Sequence, residues 1–473
     1  MNITSMKYRI SQLMLLISDL IFLILILKLS IFLRLKIFTV FFILPPIMKS
    51  YYPLYFIIIP TYIIVFAYQK LYSKTFPYWE EVKTIIKSAV ISLIIILSAL
   101  FIFKLSQTYS RIVIITHTVL TILIFPILRT YIRKLLYKSD MLVRKAIIIG
   151  SGKTAEETYK SFTEDKNLCY KIAGFLDDTD KKEILGHKIH KGINKIEAYI
   201  KNAHITDVII AKDDITCSET ELINKIQHKT SNIILIPDIR GIGIYGSEIK
   251  YFFGKQLFGF EIKNNLSNPL TYITKRIIDY IFGLIIFVLI SPLMVLISLI
   301  IKFSTEGPAI YSHKRIGKKG KEFKCYKFRT MYINADEKLK EILAKDPEKK
   351  KEWETYRKLK DDPRVTKIGS FLRKTSLDEL PQIFNVLKGE MSLVGPRPVV
   401  QKEIDEYYKE NSYYYFMVPP GITGLWQVSG RSETSYEYRV SLDSWYVKNW
   451  NLWLDIVILL KTVKAVIKRE GAC

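Results

Sequence analysis

"KRIIDYIFGLIIFVLISPLMVLISLIIKF", Lys275 to Phe303, is the stretch on which the reading of the fold turns. Between basic ends it carries one acid, Asp279, and is otherwise apolar. Its length suffices to cross a bilayer, which takes ~20 apolar residues. Two features oppose a crossing. Ser291-Pro292 falls mid-stretch, where proline removes a backbone hydrogen bond and kinks a helix. A crossing would also place everything after Phe303, rich in Lys and Arg, on the outer face, against the usual bias. The stretch therefore reads as a re-entrant helix over 275–303. It enters the membrane, breaks at Ser291 and Pro292, and returns to the same face, with Lys275, Arg276 and Lys302 at the interface.

The whole chain fits such a hybrid. It has 473 residues, 49% of them apolar and 24% charged, as expected for membrane segments joined to soluble domains. Cys169, Cys217, Cys325 and Cys473 lie far apart without CxxC spacing, so neither a disulfide framework nor a zinc site is indicated, in keeping with reducing cytosol. The net charge of +25 points, beside membrane helices, to anionic lipid heads and phosphate-bearing substrates rather than to nucleic acid.

Residues 1–138 read as a bundle of four transmembrane helices. Its apolar runs are Leu13 to Leu33, Tyr55 to Tyr68, Ala89 to Phe103 and Ile112 to Leu128. The first is too long for a signal peptide, and no small-residue cleavage site follows it. Lys7 and Arg9 precede the first run, Lys70, Lys74, Lys83 and Lys87 lie between the second and third, and Arg129, Arg133, Lys134 and Lys138 follow the fourth. The opposite loops are poorer in cations, with Arg34, Lys36, Lys49, Lys104 and Arg111. Both ends of the bundle are thus expected on the cytoplasmic face.

Residues 139–262 change to a soluble α/β pattern. "RKAIIIGSGKTAEETYKSF" reads as strand, Gly-rich turn and helix, and "YKIAGFLDD", "ITDVIIAKD" and "SNIILIPDI" as further strands. This rhythm implies a Rossmann-like parallel sheet. Gly152-Lys153-Thr154 ends like a P-loop, but the first glycine of that motif would fall at Ile147, inside the strand. Gly150, Gly152 and Ala155 follow a dinucleotide fingerprint with the third glycine replaced, and Asp177 lies somewhat beyond the ribose-binding distance. The expectation is a connecting turn without a redox cofactor, with a nucleotide or small regulatory ligand left open.

The C-terminal part, 263–473, holds an acidic pair amid cations. "KTSLDELPQIFNVLKGEMSLVGPRP" runs from Lys374 to Pro398 and contains Asp378 and Glu379. Ser376-Leu377-Asp378-Glu379 fits a capping box. With Ser376 as N-cap, Pro381 falls at the fifth helical position, whereas with Asp378 as N-cap it falls in the tolerated first turn. Either register puts the pair at a helix start, where phosphate is also held. Lys327, Arg329, Arg364, Lys367, Arg373, Arg397 and Arg431 are the surrounding cations. Cations converging on two carboxylates suit a diphosphate with a divalent metal, in which carboxylate and phosphate oxygens share the ion and Arg grips phosphate bidentately.

These segments resemble the monotopic polyprenyl-phosphate phosphoglycosyl transferases, in the large membrane branch that starts capsule, exopolysaccharide or O-antigen units. The resemblance runs from Lys275 to the C-terminus. It rests on the KR…D…SP membrane stretch, "YKFRTM", "SLDELPQIFNVLKGEMSLVGPRP", "PGITGLWQVSGR" and "LDIVILLKT". It implies transfer of a sugar-1-phosphate from a UDP-sugar to undecaprenyl phosphate, with release of UMP, at the cytoplasmic face of the bacterial inner membrane. Asp378 matches the nucleophile that forms an aspartyl-phosphosugar, and Glu379 the partner acid that helps bind Mg2+. Lys327, Arg329, Arg373, Pro396, Arg397, Arg431 and Asp455 fall at polar or uridine-side positions, and Ser291-Pro292 at the helix break. Pro419 departs from the basic residue often found before the Pro-Gly of "PGITG". The catalytic domain is expected to be mainly α-helical. The expected partners are the UDP-sugar, undecaprenyl phosphate and membrane lipid, with a homodimer through the bundle or middle domain admitted. The rival readings are a glycosyltransferase, which would release UDP, and a non-catalytic membrane scaffold with a ligand-sensing α/β domain.

Overall fold

The structure is a computed structural model that describes residues 3–41, 52–104, 109–179, 181–213, 217–230, 232–239, 243, 247–252, 257–261, 269–346, 348, 362–429 and 435–468. The chain divides into two compact units, Met1–Ile239 and Arg240–Cys473. The bundle and the α/β region, read as separate domains in the sequence, belong to one unit. The antiparallel hairpin of β7 (Glu248–Phe252) and β8 (Leu257–Glu261) falls in the other.

All four N-terminal apolar runs fold as helices: α1 (Ile3–Phe32), α2 (Tyr52–Tyr68), α3 (Tyr78–Ile102) and α4 (Arg111–Lys138). Three of them supply stretches long and apolar enough to cross a membrane, Ile10–Val40, Tyr78–Ile102 and Arg111–Lys138. The 17 residues of α2 reach only about 26 Å, short of a ~30 Å hydrocarbon core. Leu27, Tyr62, Phe66, Ala89 and Phe125 fill the bundle interior, while Leu25, Phe56, Ile94 and Leu123 remain exposed. Apolar side chains inside and outside mark a bundle made for lipid.

Arg129 and Arg133, counted in the sequence only towards the orientation of the bundle, are buried. Arg129 is wholly buried, donating to Glu81 at 2.8 Å, to Asp19, and to the Leu71 carbonyl at 2.8 Å. Arg133 donates to the Asn167 carbonyl at 2.8 Å, and Asn167 donates to the Phe76 carbonyl at 3.0 Å. Charges persist inside such a bundle only when paired, and this pairing ties the helix ends to the α/β region.

That region holds β1 (Arg144–Ile149), α5 (Lys153–Glu164), β2 (Tyr170–Leu176), β3 (Glu183–Ile184), β4 (His187–His190), α6 (Ile196–Asn202), β5 (Asp207–Ile210), α7 (Cys217–Ile226) and β6 (Asn232–Leu235). The sheet order is β3-β4-β2-β1-β5-β6, parallel from β4 to β6, with β3 antiparallel at the edge. Ala146 and Ile148 pack with Phe175 and Ile209 on one face, and Ile147 and Ile149 with Val208 and Ile210 on the other. Helices on both faces need such strands, apolar on both sides.

After the β7–β8 hairpin the second unit continues with α8 (Pro269–Ser304), followed by the hairpin β9 (Ile310–Ile316) and β10 (Glu322–Phe328) and by α9 (Ala335–Lys345). It continues through α10 (Lys367–Lys374), α11 (Ile383–Lys388), β11 (Ser392–Val394), α12 (Ser412–Met417), β12 (Gly421–Thr423), α13 (Tyr436–Lys448) and α14 (Leu452–Lys468). Its core joins Met294, Ile297 and Ile301 of α8 to Phe328, Leu372, Val386, Tyr446, Trp450 and Ile458.

The expected interruption at Ser291-Pro292 is not a break in α8, which is helical across all 36 residues. Pro292 has no N–H for the Val288 carbonyl, and the Ser291 hydroxyl donates to that carbonyl at 3.0 Å instead. Both ends of α8 are fastened to the same unit. Lys275 donates to Asp455 at 2.7 Å and to the Val394 carbonyl at 3.1 Å, and Asp279 accepts from Ser392 at 2.8 Å. At the far end Arg329 donates to the Thr305 carbonyl at 3.0 Å, to the Thr305 hydroxyl at 2.7 Å, and to the Glu306 carbonyl. Ile281, Leu284, Val288, Leu289, Leu296 and Phe303 are left exposed along the helix.

Candidate active site

Asp378 and Glu379 lie in the first turn of a 3-10 helix, Leu377–Gln382, that runs into α11. The helix starts in the Ser376 register, with Pro381 at its fifth position, but the capping box does not form. Ser376 is left-handed, with φ of 57°, and its side chain caps nothing. A non-glycine residue there is strained by ~1 kcal/mol or more, which the packed segments on either side must hold. Before it, α10 starts on Thr366, whose hydroxyl accepts from the Gly369 N–H at 2.8 Å. Gly369 has no room for a Cβ against the Thr330 backbone. Arg373, one turn on, donates to the Thr330 hydroxyl at 2.9 Å.

The hairpin brings the main cation. Phe323 pairs with Arg315, Cys325 with His313 and Lys327 with Tyr311, so alternate residues share one face. Asn385 of α11 fixes the register between helix and hairpin. Its amide donates to the Lys324 carbonyl at 2.7 Å, and its carbonyl accepts from the Tyr326 N–H at 3.0 Å. Lys327 Nζ then donates to Glu379 Oε1 at 2.7 Å and stands 3.8 Å from Asp378 Oδ2. Arg397 approaches Glu379 Oε1 to 3.8 Å from the opposite wall. Its loop is held by the Pro396 carbonyl, which accepts from the Gly421 N–H at 2.8 Å. A Cβ on Gly421 or Gly424 would strike the Gly395 backbone, so these two segments pack main chain to main chain.

A cavity of about 130 Å³ opens among Arg315, Cys325, Lys327, Glu379, Gln382, Arg397, Pro398, Glu403 and Gln427. Burial pushes the Asp378 carboxyl above the ordinary range, Lys327 and Arg373 draw it down, and Glu379 pushes it up. Burial likewise raises the Cys325 thiol, which keeps it protonated and poorly nucleophilic.

The structure thus brings together Asp378, Glu379, Lys327 and Arg397, with Arg373 behind them. It does not bring Arg329 or Asp455 to the cavity. Arg329 closes the carboxyl end of α8. Asp455 is buried, accepting from Lys275, from the Tyr446 hydroxyl at 2.7 Å and from the Trp450 indole at 3.0 Å. Pro396 shapes the loop, and Arg431 lies outside the described residues. Sequence reasoning passed over Arg315, Cys325, Gln382, Glu403 and Gln427. Strand alternation counted from Lys327 could have found Cys325. Among the described residues no group of three or more His, Cys, Asp or Glu side chains could hold a metal alone.

This is a membrane-associated chain with an acid pair set among cations in its C-terminal unit. Residues 270–469 match the bacterial sugar transferase family, and residues 67–237 match a CoA-binding domain family. The undecaprenyl-phosphate galactose phosphotransferase of Salmonella typhimurium is 41% identical, over 84% of this chain and 83% of its own. The UDP-galactose-lipid carrier transferase of Erwinia amylovora is 39% identical over the same shares. The UDP-glucose:undecaprenyl-phosphate glucose-1-phosphate transferase of Escherichia coli is 31% identical over 68% of this chain and 67% of its own. The chain belongs to the bacterial sugar transferase family, and it is an enzyme of the phosphoglycosyl transferase type.

Proposed function

We propose that the protein transfers a hexose-1-phosphate from a UDP-sugar to undecaprenyl phosphate, the first membrane step of a bacterial surface polysaccharide. The observation that carries this reading is Asp378, half-withdrawn from water, beside a Glu379 held by Lys327 and faced by Arg397. The Asp378 carboxylate attacks the β-phosphorus of the donor. The bond from that phosphorus to the bridging oxygen breaks, and UMP leaves with the oxygen. An oxygen of undecaprenyl phosphate then attacks the same phosphorus and displaces Asp378. Splitting the transfer in two regenerates the carboxylate and never brings the two substrates' charges together. Lys327 and Arg397 hold phosphate oxygens, and Arg373 and Lys327 favour the ionised Asp378.

The donor set suits Mg2+, which takes one or two carboxylates and completes its shell with phosphate oxygens and water. Glu379 lines the cavity and Asp378 adjoins it across Lys327, so this pair would hold the ion with the diphosphate, where it would offset negative charge on the donor.

The same reading places the C-terminal unit on the cytoplasmic face of the inner membrane, where nucleotide sugars are made. Its support is α8, fastened at both Lys275 and Thr305 to one folded unit, with an apolar flank uncovered and Ser291 serving the carbonyl that Pro292 leaves. We read α8 as re-entrant. We read the parallel sheet, with its order reversing at β1, as Rossmann-like. Coenzyme A has no part in this reaction. Incubation of the full chain in nanodiscs with UDP-galactose, UDP-glucose and undecaprenyl phosphate tests the proposal. It expects UMP and a lipid diphosphate sugar, and UDP as product would overturn it.

A further inference from the structure

The family description of residues 67–237 implies coenzyme A, and the Gly150–Gly152 turn implies a dinucleotide. Either would seat a pyrophosphate at the amino end of α5, in the crevice where the sheet order reverses between β1 and β5. The residues there do not fit that group. Asp213, just past β5, sets Oδ1 on Thr154, accepting from its N–H at 3.2 Å and its hydroxyl at 2.5 Å. A Cβ on Gly152 would collide with the Asp213 carboxylate. The room left by Gly152 is thus filled by the Asp213 carboxylate. Gly150, with φ of +123°, is pressed in the same way against the Ala211 carbonyl. The segment after β2 covers the turn from the other side. Lys181 donates to the Ser151 carbonyl at 3.2 Å, and the Ser151 and Thr179 hydroxyls are 3.0 Å apart. Ser151 and Thr154 are both buried. At the ribose position, Asp177 accepts from the N–H of Asp178 at 2.8 Å.

We propose that Asp213 is the resident anion of this crevice and takes the place that a pyrophosphate occupies in dinucleotide-binding sheets. A phosphate brought to the turn meets both an occupied helix end and a fixed like charge. The α/β region consequently does not take coenzyme A or NAD through this turn.

The test uses the full chain in nanodiscs, with excess uridine diphosphate to fill the cavity at Lys327 and Arg397. Equilibrium dialysis should show no saturable binding of coenzyme A or NADH at millimolar concentration. In Asp213→Ala the place is vacated, and inorganic pyrophosphate should raise the melting temperature where it leaves the parent unchanged. Should Asp213→Ala fail to fold, Asp213→Ser, which also shortens the side chain and removes the charge, is read in the same way. Saturable binding of either nucleotide to the parent chain, displaced by pyrophosphate, would overturn the proposal. So would a folded variant that does not respond to pyrophosphate.

Discussion

The Lys327 ammonium is hydrogen-bonded to Glu379 at 2.7 Å and only stands near Asp378, at 3.8 Å. The two adjacent acids are therefore unequal. Glu379 is engaged by both Lys327 and Arg397, while Asp378 is the more withdrawn and burial pushes its carboxyl above the ordinary range.

Asp378→Asn should lower UMP release by on the order of 10⁴ or more, the scale of losing a nucleophile, with the fold intact by circular dichroism. An amide cannot attack phosphorus. A folded variant that keeps a tenth of the parental rate would remove Asp378 from that role.

Glu379→Gln should cost about 10- to 100-fold in activity and move the magnesium titration to higher concentration by a similar factor, as losing one metal donor does. An unmoved magnesium midpoint would leave Glu379 with a structural part only.

The acid limb of the pH–rate profile reports Asp378. Its pKa is raised, so the carboxylate needed for attack is lost as pH falls through a value above the ordinary carboxylate range. Lys327 draws that pKa down and Glu379 pushes it up. The limb in Lys327→Met should thus move to higher pH, and in Glu379→Gln to lower pH. Movement of both in one direction would contradict the assignment.

Lys275→Met should destabilise the second unit by ~3–5 kcal/mol, because Asp455 is left as a buried acid without its cation and Asp279 keeps only Arg276, at 3.6 Å. Lys275→Met with Asp455→Leu should recover part of the loss. Alkylation of the buried Cys325 under rising denaturant, with the other cysteines removed, reads this stability.

Single cysteines at Tyr272 and Glu306, in a chain stripped of its native four, test the course of α8. Neither should react with an impermeant maleimide in intact cells. Reaction at 306 alone would show that the helix crosses. Ser291→Ala with Pro292→Leu restores the missing hydrogen bond and should bias the helix towards that outcome.

Local features were legible in the sequence and distant pairings were not. The four apolar runs, the βαβ rhythm and a helix start at the acidic pair follow from periodicity and turn residues, though the choice between Ser376 and Asp378 as N-cap does not. The capping box at Ser376 did not survive, because the chain must turn sharply between α10 and the 3-10 helix, and a left-handed residue makes that turn. Lys327 meets Glu379 across 52 residues, and Lys275 meets Asp455 across 180. Arg329 stood out by its basic segment and Asp455 by the family resemblance as substrate-side residues. Tertiary packing instead assigns them to the end of α8 and to a buried cluster with Lys275. Arg129 and Arg133 counted only towards the orientation of the bundle, and their burial against Asp19, Glu81 and Asn167 is likewise a pairing between distant parts of the chain.

The most direct test of the central claim withholds the lipid acceptor. UDP-sugar labelled at the β-phosphorus, given to the full chain with magnesium alone, should release up to one equivalent of UMP. It should leave the label on the protein at Asp378, from which undecaprenyl phosphate discharges it as lipid-linked sugar. No labelled protein and no UMP until the lipid is added, or UDP as the nucleotide released, would contradict the account.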